Sequence, residues 1–303
     1  MSGKLTLGPI LFNWEAEVWR DFYFRMAGEA PLDCVYLGEV VCSKRQPFTQ
    51  PHMAEVTERL QAAGIQVIHS TLALLMSERE VDLTRQMIQE SDCLIEGNDI
   101  SAVSLLGGKP HVIGPYISCY NEGSLAYFTG RGAVRVVLPA ELPADALDPL
   151  AAHGGANSAE LEMQVFGRLP LALSARCYHA RSKGLHKDNC QYVCAGDSDG
   201  MELETLDGEA FLAINGTQTL SHGYYNLAGE LDGLAAKGIT HFRLSPHAQD
   251  MVAVAGAFRH LLDGDWDTER ALEELGTQTG GAPFANGFFR GQAGVEWLEK
   301  AAE

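Results

Sequence analysis

The stretch CVYLGEVVCSKRQPFTQPHMAEVTERLQAAGIQVIHST (residues 34–71) indicates the architecture of the chain. Its two ends, Cys34–Glu39 and Gln66–Thr71, are short apolar runs of the kind expected of strands buried in a parallel sheet. Between them, Met53–Ala63 has apolar residues at helical spacing and stops at Gly64, a residue type common just after a helix end. The stretch therefore predicts a strand–helix–strand unit, the repeating element of parallel α/β proteins.

The same alternation continues in both directions along the chain. The predicted strands are Thr6–Phe12, Cys34–Glu39, Gln66–Thr71, Cys93–Glu96, His111–Gly114, Ala133–Pro139, Leu161–Gly167 and Thr240–Ser245. Eight strands, each followed by a helical segment, predict an α/β fold of the (β/α)8 TIM-barrel type. A doubly wound open sheet is the alternative, but no G-x-G-x-x-G follows the first strand to support its nucleotide-binding form.

The length of 303 residues agrees with a single barrel domain over residues 1–303. The alternation is interrupted once, between the seventh and eighth strands. We therefore predict an insertion there, at about residues 168–237, and it contains three of the seven cysteines.

Composition excludes several classes of protein. Apolar residues make up 46% of the chain, too many for a disordered protein, and no apolar run is long enough for a membrane-spanning helix. The 40 acidic and 22 basic residues give a net charge of −18, which argues against a nucleic-acid partner. The N-terminus leads directly into a strand without a signal peptide, so we expect a cytoplasmic protein whose odd number of cysteines forms no disulfide framework.

Three cysteines lie close together in the insertion, as Cys177, Cys190 and Cys194 with C-x12-C-x3-C spacing. Cys42 follows the second strand, and in a barrel the loops after the second and seventh strands open on the same face. The four thiols are therefore predicted to meet, as ligands of zinc or of an iron–sulfur cluster. The spacing favours the cluster, because structural zinc sites usually use one or two close C-x2–4-C pairs, and here only Cys190 and Cys194 form one while the other two cysteines are distant. Ordinary buried thiols are the alternative.

Basic residues surround these cysteines in an otherwise acidic chain. Residues 176–187 contain four Lys or Arg, two His and no acidic residue, and Lys44 and Arg45 follow Cys42. Cations lower thiolate pKa and stabilise a negatively charged cluster. They are predicted to balance a cluster or to steer an anionic substrate carboxylate. The residues considered for this surrounding shell or a substrate pocket are Glu39, Lys44, Arg45, Arg176, His179, Arg181, Asn215 and Gln218.

The remaining cysteines are interpreted differently. Cys34 and Cys93 lie in predicted strands among apolar residues and are expected in the core, whereas the role of Cys119 is left open. Polar residues at predicted strand ends are further candidates for a barrel-type site, although ordinary loop composition explains them equally well. They are Glu39, Ser70, Thr71, Glu96, Asn98, Asp99, Pro115, Glu141, Arg176 and Ser245.

Several motifs together resemble the peptidase U32 family, and within it the branch of ubiquinone biosynthesis proteins, UbiV. The most specific are Y-L-G-E-V-V-C-S-K-R at 36–45, G-R-L-P-L-A-L-S-A-R-C at 167–177 and K-D-x-C-x3-C at 187–194. Weaker matches are L-G-P at 7–9, S-T-L-A-L at 70–74, C-Y-N at 119–121, N-G-x-Q-T at 215–219 and R-L-S-P at 243–246.

The resemblance implies one [4Fe–4S] cluster held by Cys42, Cys177, Cys190 and Cys194, the same four that spacing and charge select. It implies a heterodimer with a second U32-type subunit, UbiU, and a lipid-binding accessory protein, UbiT, in O2-independent hydroxylation of aromatic ubiquinone precursors. Prephenate is suggested as hydroxyl donor for parts of this family.

Three functions remain open from the sequence. The chain is a subunit of an O2-independent hydroxylase, a peptidase as the family name indicates, or a non-catalytic iron–sulfur scaffold or electron-transfer subunit. Neither G-x-S-x-G nor H-E-x-x-H is present, which disfavours the peptidase. Four cysteine ligands would occupy every iron, which favours electron transfer or a structural role for the cluster.

Overall fold

The computed structural model describes residues 3–156 and 159–299, with side chains 153–156 left aside. Its strands are β1 Lys4–Leu7, β2 Cys34–Leu37, β3 Gln66–Ser70, β4 Leu94–Gly97, β5 His111–Ile113, β6 Ala133–Leu138, β7 Glu160–Leu173, β8 Met201–Glu204, β9 Ala210–Asn215, β10 Gln218–Asn226, β11 His241–Leu244 and β12 Phe284–Ala285. Its helices are α1 Ala16–Glu29, α2 Gln46–Thr49, α3 Met53–Ala62, α4 Glu78–Glu90, α5 Ile100–Leu106, α6 Glu122–Thr129, α7 Leu147–Ala156, α8 Tyr178–Ser182, α9 Leu231–Ala236, α10 Met251–Asp263 and α11 Thr268–Gly276.

Eight parallel strands close into a barrel, which confirms the predicted fold. β1 to β7 pair in sequence order, and β11 pairs in parallel with both β7 and β1. The helices lie around this barrel, and their sequences show why. In α1, Trp19, Tyr23 and Met26 recur at helical spacing and are buried. Each buried apolar side chain of this size contributes about 1.5–3 kcal/mol to stability.

Several helices begin at polar caps that directly follow strand-to-helix loops. Ser77, Asp99 and Asn121 accept hydrogen bonds from backbone N–H groups in the first turns of α4, α5 and α6. Asp250 does the same for α10, so that helix begins at Met251. The caps therefore fix the residue at which each strand-to-helix loop ends and the helix begins.

The first and seventh strands differ from the predictions. β1 ends at Leu7, and the apolar residues up to Phe12 form a buried loop, because an apolar run alone does not distinguish a strand from a buried loop. β7 continues past the predicted end at Gly167 to Leu173. Gly167 bends the strand with φ +116°, and a Cβ there would lie 2.6 Å from that of Ser245.

The predicted insertion contains an antiparallel extension of the barrel sheet. The outer half of β7 pairs with β10, β10 pairs with β9, and β9 pairs with β8. α8 and the short turns that carry Cys190 and Cys194 lie between β7 and β8 in the chain. The extension therefore stands beside the barrel mouth with the cysteine-rich segment at its base.

Among the described residues, no helix is long and apolar enough to cross a membrane. Met1 and Ser2, on which the signal-peptide expectation depended, lie outside the described residues.

Candidate metal centre

Two loops of the barrel mouth bring four cysteines to one pocket. Cys42 lies in the loop after β2, and Cys177, Cys190 and Cys194 follow β7. We call this the cysteine pocket; it is lined by Cys42, Lys44, Arg45, Cys177, Lys187, Cys190, Tyr192, Val193, Cys194 and Gly216. Cys177 and Cys194 are each 9% exposed, and the other two are half-buried. All four thiols are free of disulfides.

The segment from Cys177 to Cys194 is folded by local interactions of the cysteines themselves. The Cys177 Sγ accepts a hydrogen bond from the Ala180 N–H at 3.4 Å and so caps α8. Between Cys190 and Cys194, Gln191 and Tyr192 both have positive φ, +50° and +53°. Positive φ is unfavourable for these residue types, so the tight turn that brings the two cysteines to one pocket stores backbone strain.

Arg45 is buried against the cysteine pocket. Its guanidinium donates to the Leu11 carbonyl at 2.8 Å and to Asn215 Oδ1 at 2.9 Å, and it also hydrogen-bonds the Cys194 thiol. Its Nε has no partner within the described residues. Gly216 permits this position, because a Cβ at that residue would lie 2.6 Å from Arg45 Nη2. A positive charge is therefore fixed beside the thiols.

Glu39 lies at the other side of the Cys42 loop. Its Oε1 accepts hydrogen bonds from the N–H groups of Val41 and Cys42, both at 2.8 Å. Burial raises the pKa of Glu39 even though Arg45 and these hydrogen bonds oppose the shift. Glu39 thus holds the backbone of the loop that presents Cys42.

Burial also raises the pKa of the Cys42 and Cys177 thiols. Arg45 lowers both values in part, and Lys187 acts in the same direction on Cys42. A metal that binds thiolates replaces their protons, so the neighbouring cations favour the form that a metal needs.

A single metal ion and a [4Fe–4S] cluster require different arrangements of the four cysteine sulfurs. In the described part of the chain, no three His, Cys, Asp or Glu side chains are placed to hold one metal ion. A single zinc would require sulfurs about 2.3 Å from one point. In a [4Fe–4S] cluster each cysteine binds a different iron, so the sulfurs stand further apart around a larger volume. Among the described residues, the four thiols line one pocket, but no three of them converge on a single metal position.

The other candidates occupy different positions. Asn215 hydrogen-bonds the Arg45 guanidinium and the Leu11 carbonyl. The Gln218 amide donates a hydrogen bond to the Tyr116 hydroxyl at 2.9 Å. The buried His179 lies 2.7 Å from Asp197 through Nε2, and its Nδ1 has no partner among the described residues. None of these three side chains lines the cysteine pocket.

Arg176 and Arg181 line a second, adjoining pocket. We call it the basic pocket; it is lined by Ala175, Arg176, Cys177, Arg181, Gly184, Leu185, His186 and Lys187. Cys177 and Lys187 belong to both pockets. Lys44, in contrast, remains at the cysteine pocket, where its Nζ donates to the Lys187 carbonyl at 2.5 Å.

Several strand-end residues serve the barrel interior instead. Glu96 accepts hydrogen bonds from Ser70 and Asn98 and pairs with Arg243 inside the barrel. Cys34 is buried in β2, as predicted, and Cys119 is buried too. Cys93 precedes β4 rather than lying in it and is half-buried.

Sequence reasoning missed three residues that line the cysteine pocket as candidates. In the sequence, Lys187 is only one of several basic residues in the stretch 176–187, although it lines both pockets. Tyr192 packs edge-to-face on Phe48 at 4.9 Å and joins the two cysteine-bearing loops. Gly216 lies in the N-G-T turn, and the glycine itself is the signal that identifies a close approach.

The closed barrel of eight parallel strands with surrounding helices defines the chain as an α/β protein of the TIM-barrel type. The model of peptidase family U32 matches residues 23–299, so the chain belongs to the U32 family. Among solved structures it is similar to the U32 peptidase Mk0906, with 10% identity, a TM-score of 0.45 and coverage of 82% of this chain and 95% of that one.

A second similar structure is a phospho-2-dehydro-3-deoxyheptonate aldolase from Thermotoga maritima. It has 10% identity and a TM-score of 0.36, with coverage of 93% of this chain and 70% of that one.

Proposed function

We propose that the chain binds one [4Fe–4S] cluster through Cys42, Cys177, Cys190 and Cys194. The observation that carries the proposal is the cysteine pocket, in which these four thiols and three cations meet. The other three cysteines line neither pocket and supply an internal comparison. A bound cluster would supply one-electron transfer or a rigid cross-link between the two cysteine-bearing loops.

The basic side chains of the cysteine pocket suit that role. Four thiolates around a [4Fe–4S] core leave a net charge of about −2. Arg45, Lys44 and Lys187 place positive charge against it, and the burial of Arg45 limits screening by solvent. Glu39 holds the Cys42 loop through backbone hydrogen bonds and so keeps the first ligand in position.

We propose further that the chain acts as the UbiV-type subunit of an O2-independent hydroxylase. In this proposal it pairs with a second U32-type subunit of the UbiU kind, receives an aromatic ubiquinone precursor with the help of UbiT, and contributes the cluster. The motifs that surround Cys42 and Cys177 support this assignment within the U32 family.

A scaffold or electron-transfer role is the second candidate, and one observation favours it. Four cysteines line the pocket, so every iron of a cubane would be bound by protein and none would be left for substrate. The peptidase alternative lacks such support: among the described residues no thiol–imidazole hydrogen bond activates a cysteine, and His179 Nε2 is paired with Asp197.

Anaerobic purification tests the cluster. We expect a brown protein with about four irons and four sulfides per chain. Cys42→Ser and Cys177→Ser should lose most of this iron, whereas the matched controls Cys34→Ser, Cys93→Ser and Cys119→Ser should keep it. A colourless chain with one zinc, or iron that survives Cys42→Ser, would contradict the proposal.

Hydroxylation needs a separate measurement. The chain and a UbiU-type partner should together hydroxylate a ubiquinone precursor under strict anoxia, and Cys42→Ser should abolish this activity. Full activity from the partner alone would instead favour the scaffold.

A further inference from the structure

We propose that the basic pocket binds a small, doubly charged oxyanion, a dicarboxylate or a phosphate. This site lies beside the cysteine pocket but is distinct from it, and the inference goes beyond the proposed function because it does not require a cluster. Its basic side chains are Arg176, Arg181, Lys187 and the imidazole of His186, and no acidic residue lines it.

The two arginines are available for a ligand. Both guanidinium groups are exposed, and neither forms an ion pair with any residue in the described ranges. By comparison, Arg25, Arg135, Arg243 and Arg259 each pair with carboxylates. In a chain with a net charge of −18, unpaired cations gathered in one concave site are unexpected unless they serve an anion.

The structure divides the basic residues into two groups. Arg45 and Lys44 face the thiols and line the cysteine pocket, whereas Arg176, Arg181 and His186 line only the basic pocket. Charge balance at the thiols therefore uses the first group and leaves the second unexplained. Lys187 borders both pockets, so a ligand in the basic pocket would lie next to the Cys177 thiol.

Electrostatics favours a small ligand over an acidic protein. Screening limits charge interactions to about 8 Å at physiological ionic strength. A small anion inside the pocket interacts mainly with the local cations, while an acidic protein would also meet the rest of a chain whose net charge is −18. The pocket has a volume of about 480 Å³, within the usual range for small-molecule sites. Paired guanidinium groups match carboxylate and phosphate oxygens in bidentate geometry.

Calorimetric titration of the full chain tests this site. The probes are inorganic phosphate and succinate, which separate the two ligand chemistries, with acetate as the singly charged comparison. We expect at least one dianion to bind about tenfold more tightly than acetate. The double variant Arg176→Gln/Arg181→Gln should weaken that binding at least about tenfold, while Arg59→Gln, an exposed arginine on α3, should leave it unchanged.

Two further measurements separate this inference from the cluster proposal. Dianion binding should persist in Cys42→Ser, and the arginine double variant should keep its iron. Binding of neither dianion, equal binding by the double variant, or binding of polyglutamate but of neither dianion would overturn the proposal. Loss of iron in the double variant would overturn it too, because the arginines would then serve the cysteine pocket.

Discussion

The barrel interior and the cysteine pocket both contain buried charged groups. Within the described residues, only the barrel interior pairs each of these groups with an opposite charge. Inside the barrel, Arg243 lies between Glu96 and Glu162, and its Nε donates to Glu162 at 2.7 Å. Glu162 also accepts hydrogen bonds from Thr6 and Tyr36. Every charged group of this network therefore faces an opposite charge.

The cysteine pocket lacks this closure within the described chain. Arg45 Nε and His179 Nδ1 are buried without partners, and the cations Lys44, Arg45 and Lys187 line the pocket beside the four thiols. The backbone at Gln191 and Tyr192 is strained there as well. A charge-compensated network serves the fold, whereas buried polar groups without partners beside a strained turn favour a ligand site.

The barrel network gives the largest expected effect. Arg243→Met removes the positive charge but keeps a long side chain at this position. It leaves Glu96 and Glu162 buried without their common partner. We expect the free energy of unfolding to fall by about 3–5 kcal/mol in urea titrations at neutral pH. The control Arg59→Met, on an exposed helix face, should stay within about 0.5 kcal/mol of the parent. A loss below about 1 kcal/mol in Arg243→Met would show that the network is not what stabilises the barrel interior.

The pH dependence of stability tests the same network with Arg243 in place. Burial alone would raise the pKa of Glu162, but Arg243 and Arg135 lower it to about 2. A lowered folded-state pKa adds stability above the unfolded-state value, near 4.5, and this stability is lost as pH falls towards 2. We expect about 2–3 kcal/mol of pH-dependent loss over this window. In Glu162→Gln, unfolding measured by circular dichroism should lose that part of the slope; an unchanged slope would assign it to other carboxylates.

The barrel strands also differ in how well their bounds could be predicted from the sequence. Buried parallel strands leave continuous apolar runs, so the barrel could be predicted from β2 and β3 outward. The end of β7 could not, because Gly167 resembles a stop and instead bends the strand against Ser245. The apolar residues after Leu7 show the converse error, since they are buried as a loop rather than paired as a strand.

The cysteine pocket was predictable in its thiols but not in its surroundings. The barrel rule places the loops that follow all the barrel strands on one face, which was enough to bring Cys42 towards Cys177. The separation of Arg176 from Arg45 depends on loop paths and on a glycine turn. No periodic pattern records such paths, so the basic residues formed a single group in the sequence and two groups in the structure.

A glycine pair sharpens the comparison at the cysteine pocket. Gly216→Ala places a methyl group 2.6 Å from Arg45 Nη2 at φ +64°, whereas Gly208→Ala meets nothing within 4 Å at φ +83°. Both variants incur the cost of positive φ, so their difference isolates the contact. We expect Gly216→Ala to be less stable than Gly208→Ala by about 1–2 kcal/mol in urea, and to retain less iron. Equal stability and equal iron would mean that the Arg45 position does not matter.

The strained turn gives the smallest effect on stability and the most specific effect on the pocket. Gln191 has φ +50°, a conformation that a β-branched residue tolerates poorly and glycine accepts. Gln191→Val should destabilise the turn by about 1–2 kcal/mol, whereas Gln191→Gly should change stability by less than about 1 kcal/mol. Because the turn joins Cys190 to Cys194, the valine variant should bind less iron than the glycine variant at equal protein concentration. Its barrel should remain folded, since neither β7 nor β11 contacts this turn through strand pairing. If both variants kept full iron, the turn would not position the thiols, and the cysteine pocket would depend on its backbone no more than the barrel interior does.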